Sequence, residues 1–511
     1  MTEDRLRGLS PHLSRSRLVS RLADVLRLAR TSLEHLRQYP DAWQEDLDPT
    51  VTAADKLAVE TSLLVLVTTR VPNLDEDLRR VVDDVVGLLI PLLRSERHRA
   101  LLMRVPHTAA ALGIGHGILT RLGARDPSFD MLIRRALASG HVDTTERLPY
   151  RALDLCWMKT FLNDTSPPAA DQLLPHSILA GAPHPIYLSA PDTYALTHSI
   201  MYVTDFGARG PLDSINVRRL SYAVDAALAY HLVSDNIDLL GELLMCSAML
   251  DRTWSPYARL GWRLMWDIWE RMRVLPGPTF DTTEFRALQG GQATTYALRH
   301  IYHTNYVGGI LIAMLLQESR EPSHKDLVPE ADDLHELSAL LRCVVERASA
   351  FCAQSQDQQA VFDTPAIDQD SYGLNAIIQR LASLTQTGDP LRPWHRILDD
   401  APLSSRELQL VLSDALLICA CREYRLAALA DGLRIVSTLD CPVSVTFREA
   451  TRFLINQQHD SGAIGSHFVV AANRESEQAF LVTRTIAECL RSAELGLTRR
   501  LGPASPTAVA S

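Results

Sequence analysis

Two short stretches of this 511-residue chain carry the side chains best suited to chemistry, Thr193-Tyr-Ala-Leu-Thr-His198 and Thr295-Tyr-Ala-Leu-Arg-His300. The first continues through Tyr202, Thr204, Asp205, Phe206 and Gly207. The second, two residues shorter, continues through Tyr302, His303, Thr304, Asn305, Tyr306 and Gly308. Histidine changes charge near neutral pH and is the commonest metal ligand, so a duplicated histidine segment points to proton transfer or to an ion. A weaker third copy, Asp370-Ser-Tyr-Gly-Leu-Asn375, lacks the histidine.

Spacing limits what these residues can do together. Seven residues of straight helix advance about 700°, which sets His198 and Asp205 on one face about 10 Å apart along the axis, too far to clamp one ion. A helix that stops near Tyr202 lets the Thr-Asp-Phe-Gly turn fold Asp205 back toward the His198 ring. His300 and His303, three residues apart, are neighbours on one helix face. The pattern supports a repeated packing element in which each histidine donates to a carbonyl. It also leaves room for general acid/base catalysis by His198 with Asp205 as its orienter and Tyr202 and Tyr302 close by. It also supports a divalent metal, zinc or ferrous iron, held by His198, Asp205, His300 and His303. No His-Glu-x-x-His sequence decides among them.

Other motifs offer less. Gly113-Ile-Gly-His-Gly117 lacks the spacing and preceding strand of a dinucleotide loop and reads as a close helix contact or a bend. Asp368-Gln-Asp370 reads as a helix cap, and His459 and His467 flank a glycine-rich turn. The eight cysteines contain no Cys-x-x-Cys pair, which fits buried reduced thiols and a cytoplasmic setting.

The elements that must position these groups are helices. Leu18, Leu22, Val25, Leu26, Leu28 and Leu33 make an apolar stripe at helical period, and further helices are predicted at about 53–69, 78–93 and 96–122. Ser404 with Glu407, and Thr446 with Glu449, have the spacing of capping boxes. Alternating runs joined by Asn-Gly turns are missing, which excludes sandwiches, barrels and Rossmann domains. The reading is all-α: a helical region over 1–165, a proline-rich connection over 166–213 carrying the first histidine segment, and helical hairpins over 214–501. These hairpins form an (α/α) toroid or an open array, followed by a disordered tail over 502–511.

Composition bounds the function. Hydrophobic residues make up 46% and charged residues 22% of the chain, the balance of a globular protein. A formal net charge of −10 argues against a nucleic-acid binder. Only Lys56, Lys159 and Lys325 are lysines, and no Walker sequence is present. The longest clean apolar run, 307–316, is too short to span a bilayer, and the N-terminus lacks a secretory pattern.

Phe453-Leu-Ile-Asn-Gln-Gln-His-Asp-Ser-Gly-Ala-Ile-Gly465 resembles the repeat-end motif of terpenoid cyclases such as squalene-hopene cyclases, whose barrels are α/α toroids, although the usual aromatic after the glycine is missing. Pro149 to Gly207 and Thr295 to Gly309 resemble an uncharacterised family of actinobacterial proteins met near specialised-metabolism genes. The cyclase resemblance implies a biosynthetic enzyme that works on a small organic substrate in a helical cavity by cyclisation or rearrangement, whereas the histidine set points to metal-assisted chemistry. The alternative is a non-catalytic helical-repeat scaffold or regulatory protein that binds a partner protein along its concave face and tolerates substitution of His198 and His303. The sequence leaves the oligomeric state open.

Overall fold

The computed structural model describes residues 13–501 apart from 44–45, 49–50, 164–167, 182, 212–213, 235, 251–253, 318–331, 355–373, 386–402 and 466–472. The stretch 370–373, with Asp368, and His467 lie outside the described residues. Among those described, 21 α-helices are joined by one small antiparallel ladder, Asp46–Asp48 with Val51–Thr52, so the chain is all-α. No helix among them is long and apolar enough to cross a membrane.

The helices used below are α1 (Arg15–Gln38), α2 (Ala53–Thr68), α3 (Ala109–Arg121), α4 (Pro149–Asn163), α5 (Ala190–Val203), α6 (Ile237–Met249), α7 (Pro256–Met272), α8 (Gly290–Leu316), α9 (Ser405–Arg422) and α10 (Val445–Ile455). The predicted stripe of α1 is buried at Leu18, Leu22, Val25, Leu26 and Leu33. The helix expected over 96–122 is broken instead. Its first part ends at Arg104, Pro106 follows without an N–H to continue the ladder, and α3 begins after a short 3-10 turn. The Ser404/Glu407 capping box forms as predicted. α10 is capped by Ser444 rather than Thr446, the Ser444 hydroxyl accepting from the Phe447 N–H at 2.9 Å.

The second half of helix α8, from Tyr306 to Leu316, is apolar on all sides, and the helix is covered by α1, α2 and α6, as a segment without a polar face must be. Its register is fixed by Asn305, whose side-chain amide donates to the Leu275 and Ile301 carbonyls at 2.8 and 2.7 Å and whose oxygen accepts from the Leu275 N–H at 3.1 Å. Gly241 lets α6 approach α8 closely: a Cβ there would meet Val307 Cγ1 at 2.7 Å. The run 113–117 is indeed a close contact, its three glycines facing Met158, Leu93 and Phe161.

The buried apolar side chains form two clusters. One runs from Leu13 to Leu316 and takes in residues 376–441; the other is built mainly from 337–497. Helix α9 contributes to both. A buried polar knot joins α7, α9 and the start of α10: Tyr257 and Ser444 donate their hydroxyls to Asp414 at 2.7 and 2.6 Å.

Candidate functional site

Both histidine segments form helices, α5 and the first half of α8, and both line a cavity of about 1180 Å³. Helices α2, α3, α4 and α6 complete its wall. The chemistry gathers where α2, α5, α6 and α8 meet.

Helix α6, Ile-Asp-Leu-Leu-Gly-Glu-Leu-Leu-Met-Cys-Ser-Ala-Met, is almost wholly buried, yet it carries Asp238 and Glu242 four residues apart, on one face. Asp238 lies in the first turn, where unpaired backbone N–H groups favour a negative charge. It also accepts the Tyr194 hydroxyl at 3.1 Å. Glu242 accepts the Thr197 hydroxyl at 2.5 Å through Oε2. Among the described residues neither carboxylate forms an ion pair with an arginine or lysine, and Lys56 acts on Asp238 only at longer range. What faces them is His303 of α8, whose Nε2 stands 3.3 Å from Asp238 Oδ1 and 3.9 Å from Glu242 Oε1.

The other nitrogen of His303, Nδ1, is 2.7 Å from Glu60 Oε2 on α2. Lys56, one turn earlier, approaches Glu60 Oε1 at 3.6 Å. Donation from Nδ1 to Glu60 leaves the Nε2 lone pair pointing between two carboxylates, an arrangement that needs a cation in the gap or a proton on one of the acids. A proton on Nε2 supplies one such cation. Burial opposes it, but Asp238 and Glu60 hold the His303 imidazolium well above the ordinary histidine range. Burial would raise Glu60 and Asp238 as well, and His303 outweighs it and holds both down. Glu242 goes the other way: burial and then the neighbouring Asp238 push it up.

A metal ion supplies the other cation. Single donor atoms from Asp238, Glu242 and His303 all lie within 4.8 Å of one another. Ligands bonded at about 2 Å around one ion stand about 3 Å apart, so small side-chain rotations close the set. The Glu60 contact then orients the ligating imidazole from behind, the usual arrangement around a metal-bound histidine. Glu60 and the Glu242 Oε2 atom are both engaged elsewhere, so the set suits one ion with three protein ligands.

Across Glu242 stands His198. Its Nδ1 donates to the Tyr194 carbonyl at 2.8 Å and lies 3.7 Å from Glu242 Oε2. That bond fixes the proton on Nδ1 and leaves Nε2 as the basic nitrogen, and burial lowers the ring's pKa below the ordinary histidine value, which keeps it neutral. Tyr150, Tyr194 and Tyr202 surround the ring at about 6 Å between centroids.

The remaining sequence candidates are placed differently. Asp205 does not turn back to His198. Helix α5 ends at Val203, and three successive residues, Asp205, Phe206 and Gly207, take left-handed conformations. The turn throws the Asp205 carboxylate to the far side. There it accepts from Trp157 Nε1 at 2.8 Å, Arg70 Nη2 at 3.2 Å and Arg121 Nη1 at 3.2 Å. Phe206, not Asp205, lines the cavity. His300 reaches the cavity wall but pairs with the Thr279 hydroxyl at 2.8 Å and packs on Tyr296 at 4.2 Å, with no bond to the cluster. Tyr202 and Tyr302 line the cavity, and burial raises both phenols well above their ordinary range.

Sequence reasoning missed Asp238, Glu242, Glu60 and Asp154. A signal existed for the first two: acids at i and i+4 on a helix otherwise apolar on every side must be buried, and buried acids need partners.

The chain belongs to the DUF6895 family, a domain of unknown function, whose model matches residues 22–313. No curated protein and no solved structure matches it. The matched span holds Glu60, Asp154, His198, Asp238, Glu242 and His303, so the whole cluster lies within the family region.

Proposed function

We propose that this protein is a metal-dependent enzyme that binds one divalent first-row ion, ferrous iron, manganese or zinc, through Asp238, Glu242 and His303. One observation carries the reading: an imidazole backed by Glu60 aims its second nitrogen at two buried carboxylates that, among the described residues, form no ion pair with arginine or lysine. Structural metal sites close their coordination with four protein ligands, whereas catalytic sites keep a position open. Three ligands beside a cavity belong to the second kind.

When bound, the ion acts as a Lewis acid toward a substrate oxygen or water. The chain's own residues do the rest. Glu60 fixes the His303 tautomer, Thr197 holds one Glu242 oxygen, and neutral His198 presents Nε2 as a base on the opposite wall. The surrounding hairpins are read as the staves of an (α/α) toroid enclosing a small organic substrate. The eight cysteines, none of them in a disulfide, fit a cytoplasmic enzyme.

The test is metal content and cobalt(II) titration of the purified, chelator-stripped chain. One equivalent should bind, with loss in His303→Ala and Asp238→Asn but not in His300→Ala. Absence of stoichiometric binding, or binding indifferent to His303, overturns the reading.

A further inference from the structure

A second cavity, of about 930 Å³, carries charge of the opposite sign to the metal site. It is walled by the stretch 437–445, which ends in the start of α10, and by the end of the last helix, Asn473–Leu501. Apart from Arg218 and Tyr222, its wall lies beyond residue 313, outside the span that the family model matches. Five arginines line it, Arg218, Arg406, Arg448, Arg499 and Arg500, and among the described residues Asp440 is its one acid. That balance reverses the chain's own, whose formal net charge is −10.

Three of these arginines are short of a counter-charge. Arg500 donates to the carbonyls of Cys441 at 3.0 Å, Val436 at 2.8 Å and Leu439, which ties the end of the last helix to the cavity wall. These partners are all neutral, and burial disfavours the charge that they surround. Arg406 meets Asp440 at 3.7 Å with the two side chains 60% and 98% exposed, a pair worth little. Arg499 forms no hydrogen bond or ion pair among the described residues. Arg218 and Arg448 are engaged, with the Tyr222 hydroxyl and with Glu449, each at 3.3 Å. Ser444 and Val445, the cap and first residue of α10, set the positive end of an 11-residue helix at the same wall.

Guanidiniums hold phosphate through paired, charge-assisted N–H bonds, and a dianion answers several of them at once. The rest of the wall is largely apolar, with Leu337, Leu439 and Val443 beside Tyr222. A volume of about 930 Å³ is far more than a bare ion needs and lies within the range of small organic ligands.

We propose that this cavity binds a small phosphate monoester with an apolar body, its dianionic group held by Arg406 and Arg499 against the charge of Arg500 and its body lying on Leu337, Leu439 and Val443. The site is separate from the metal reading and does not depend on it.

Calorimetric titration of the full chain tests it, in chelator so that no ion in the first cavity takes the phosphate. 1-Naphthyl phosphate should bind about tenfold tighter than inorganic phosphate, which lacks the apolar body, and about tenfold tighter than 1-naphthoate, which carries a single charge. Arg406→Gln and Arg499→Gln, both at exposed positions, should each weaken it about tenfold with thermal unfolding unchanged. Asp440→Asn, which removes the one acid, should tighten it about threefold. A structural role for these side chains moves none of these affinities. Binding no tighter than either control, indifference to either arginine substitution, no gain in Asp440→Asn, displacement by phosphatidic acid vesicles, or no binding at millimolar concentration overturns the proposal.

Discussion

Asp205 and Glu242 are both buried carboxylates reached from helix α5, yet their surroundings make them opposites. Asp205 receives two guanidiniums and an indole N–H, so its charge is matched and its oxygens are used. Glu242 receives one hydroxyl, with two imidazoles standing off at 3.7 and 3.9 Å, while Asp238 and Glu60 crowd it with like charge. The first arrangement locks a turn. The second stores an electrostatic deficit that a cation relieves, and such deficits mark functional sites more often than structural ones. Asp414 stands between them, satisfied by the neutral donors Tyr257 and Ser444.

The largest expected effect comes from neutralising the matched acid. Asp205→Asn keeps the shape and tolerates the left-handed backbone, but it leaves Arg70 and Arg121 without their counter-charge. It should cost about 3–4 kcal/mol in denaturant unfolding while cobalt(II) affinity stays unchanged. Equal stability to the parent breaks the contrast.

Glu242→Gln should do the reverse. Cobalt(II) affinity should fall by about a hundredfold or more with one of three ligands weakened, and the metal-free protein should be as stable as the parent or more so, because a crowded buried acid is gone. Titration calorimetry and unfolding in chelator read the two quantities.

Asp414 sharpens the middle of the comparison through pH. Burial raises its carboxyl to about 6, against the pull of Ser444, Tyr257 and Thr446. The ordinary value in an unfolded chain is near 4. The folded form therefore binds the extra proton between about pH 4 and 6, so this group's stabilisation is fully present below pH 4 and is lost as pH rises through about 6. Asp414→Asn should flatten that fall, worth about 3 kcal/mol, in unfolding curves taken across the window.

The smallest effect is Glu60→Gln, which leaves the ligands in place and loosens only the hold on the His303 imidazole. Cobalt(II) affinity should drop about tenfold, an order less than for Glu242→Gln. A loss as large as that of Glu242 would make Glu60 a ligand rather than a support.

The helical character of the chain was legible because period and capping are local: the α1 stripe and the Ser404/Glu407 box each depend on residues a turn apart. Local rules also misled where a neighbouring residue competed, as Pro106 did within the stretch 96–122 and Ser444 did at the start of α10.

The sequence by itself determined the all-α class and drew attention to His198 and His303, since helix period and histidine chemistry are written in the order of residues. Tertiary structure alone decided the partners. Three left-handed residues after α5 sent Asp205 to the arginines, and the glycine contact between α6 and α8 brought Asp238 and Glu242 to His303. Charge compensation depends on distances across helices far apart in the chain, and no local pattern encodes them.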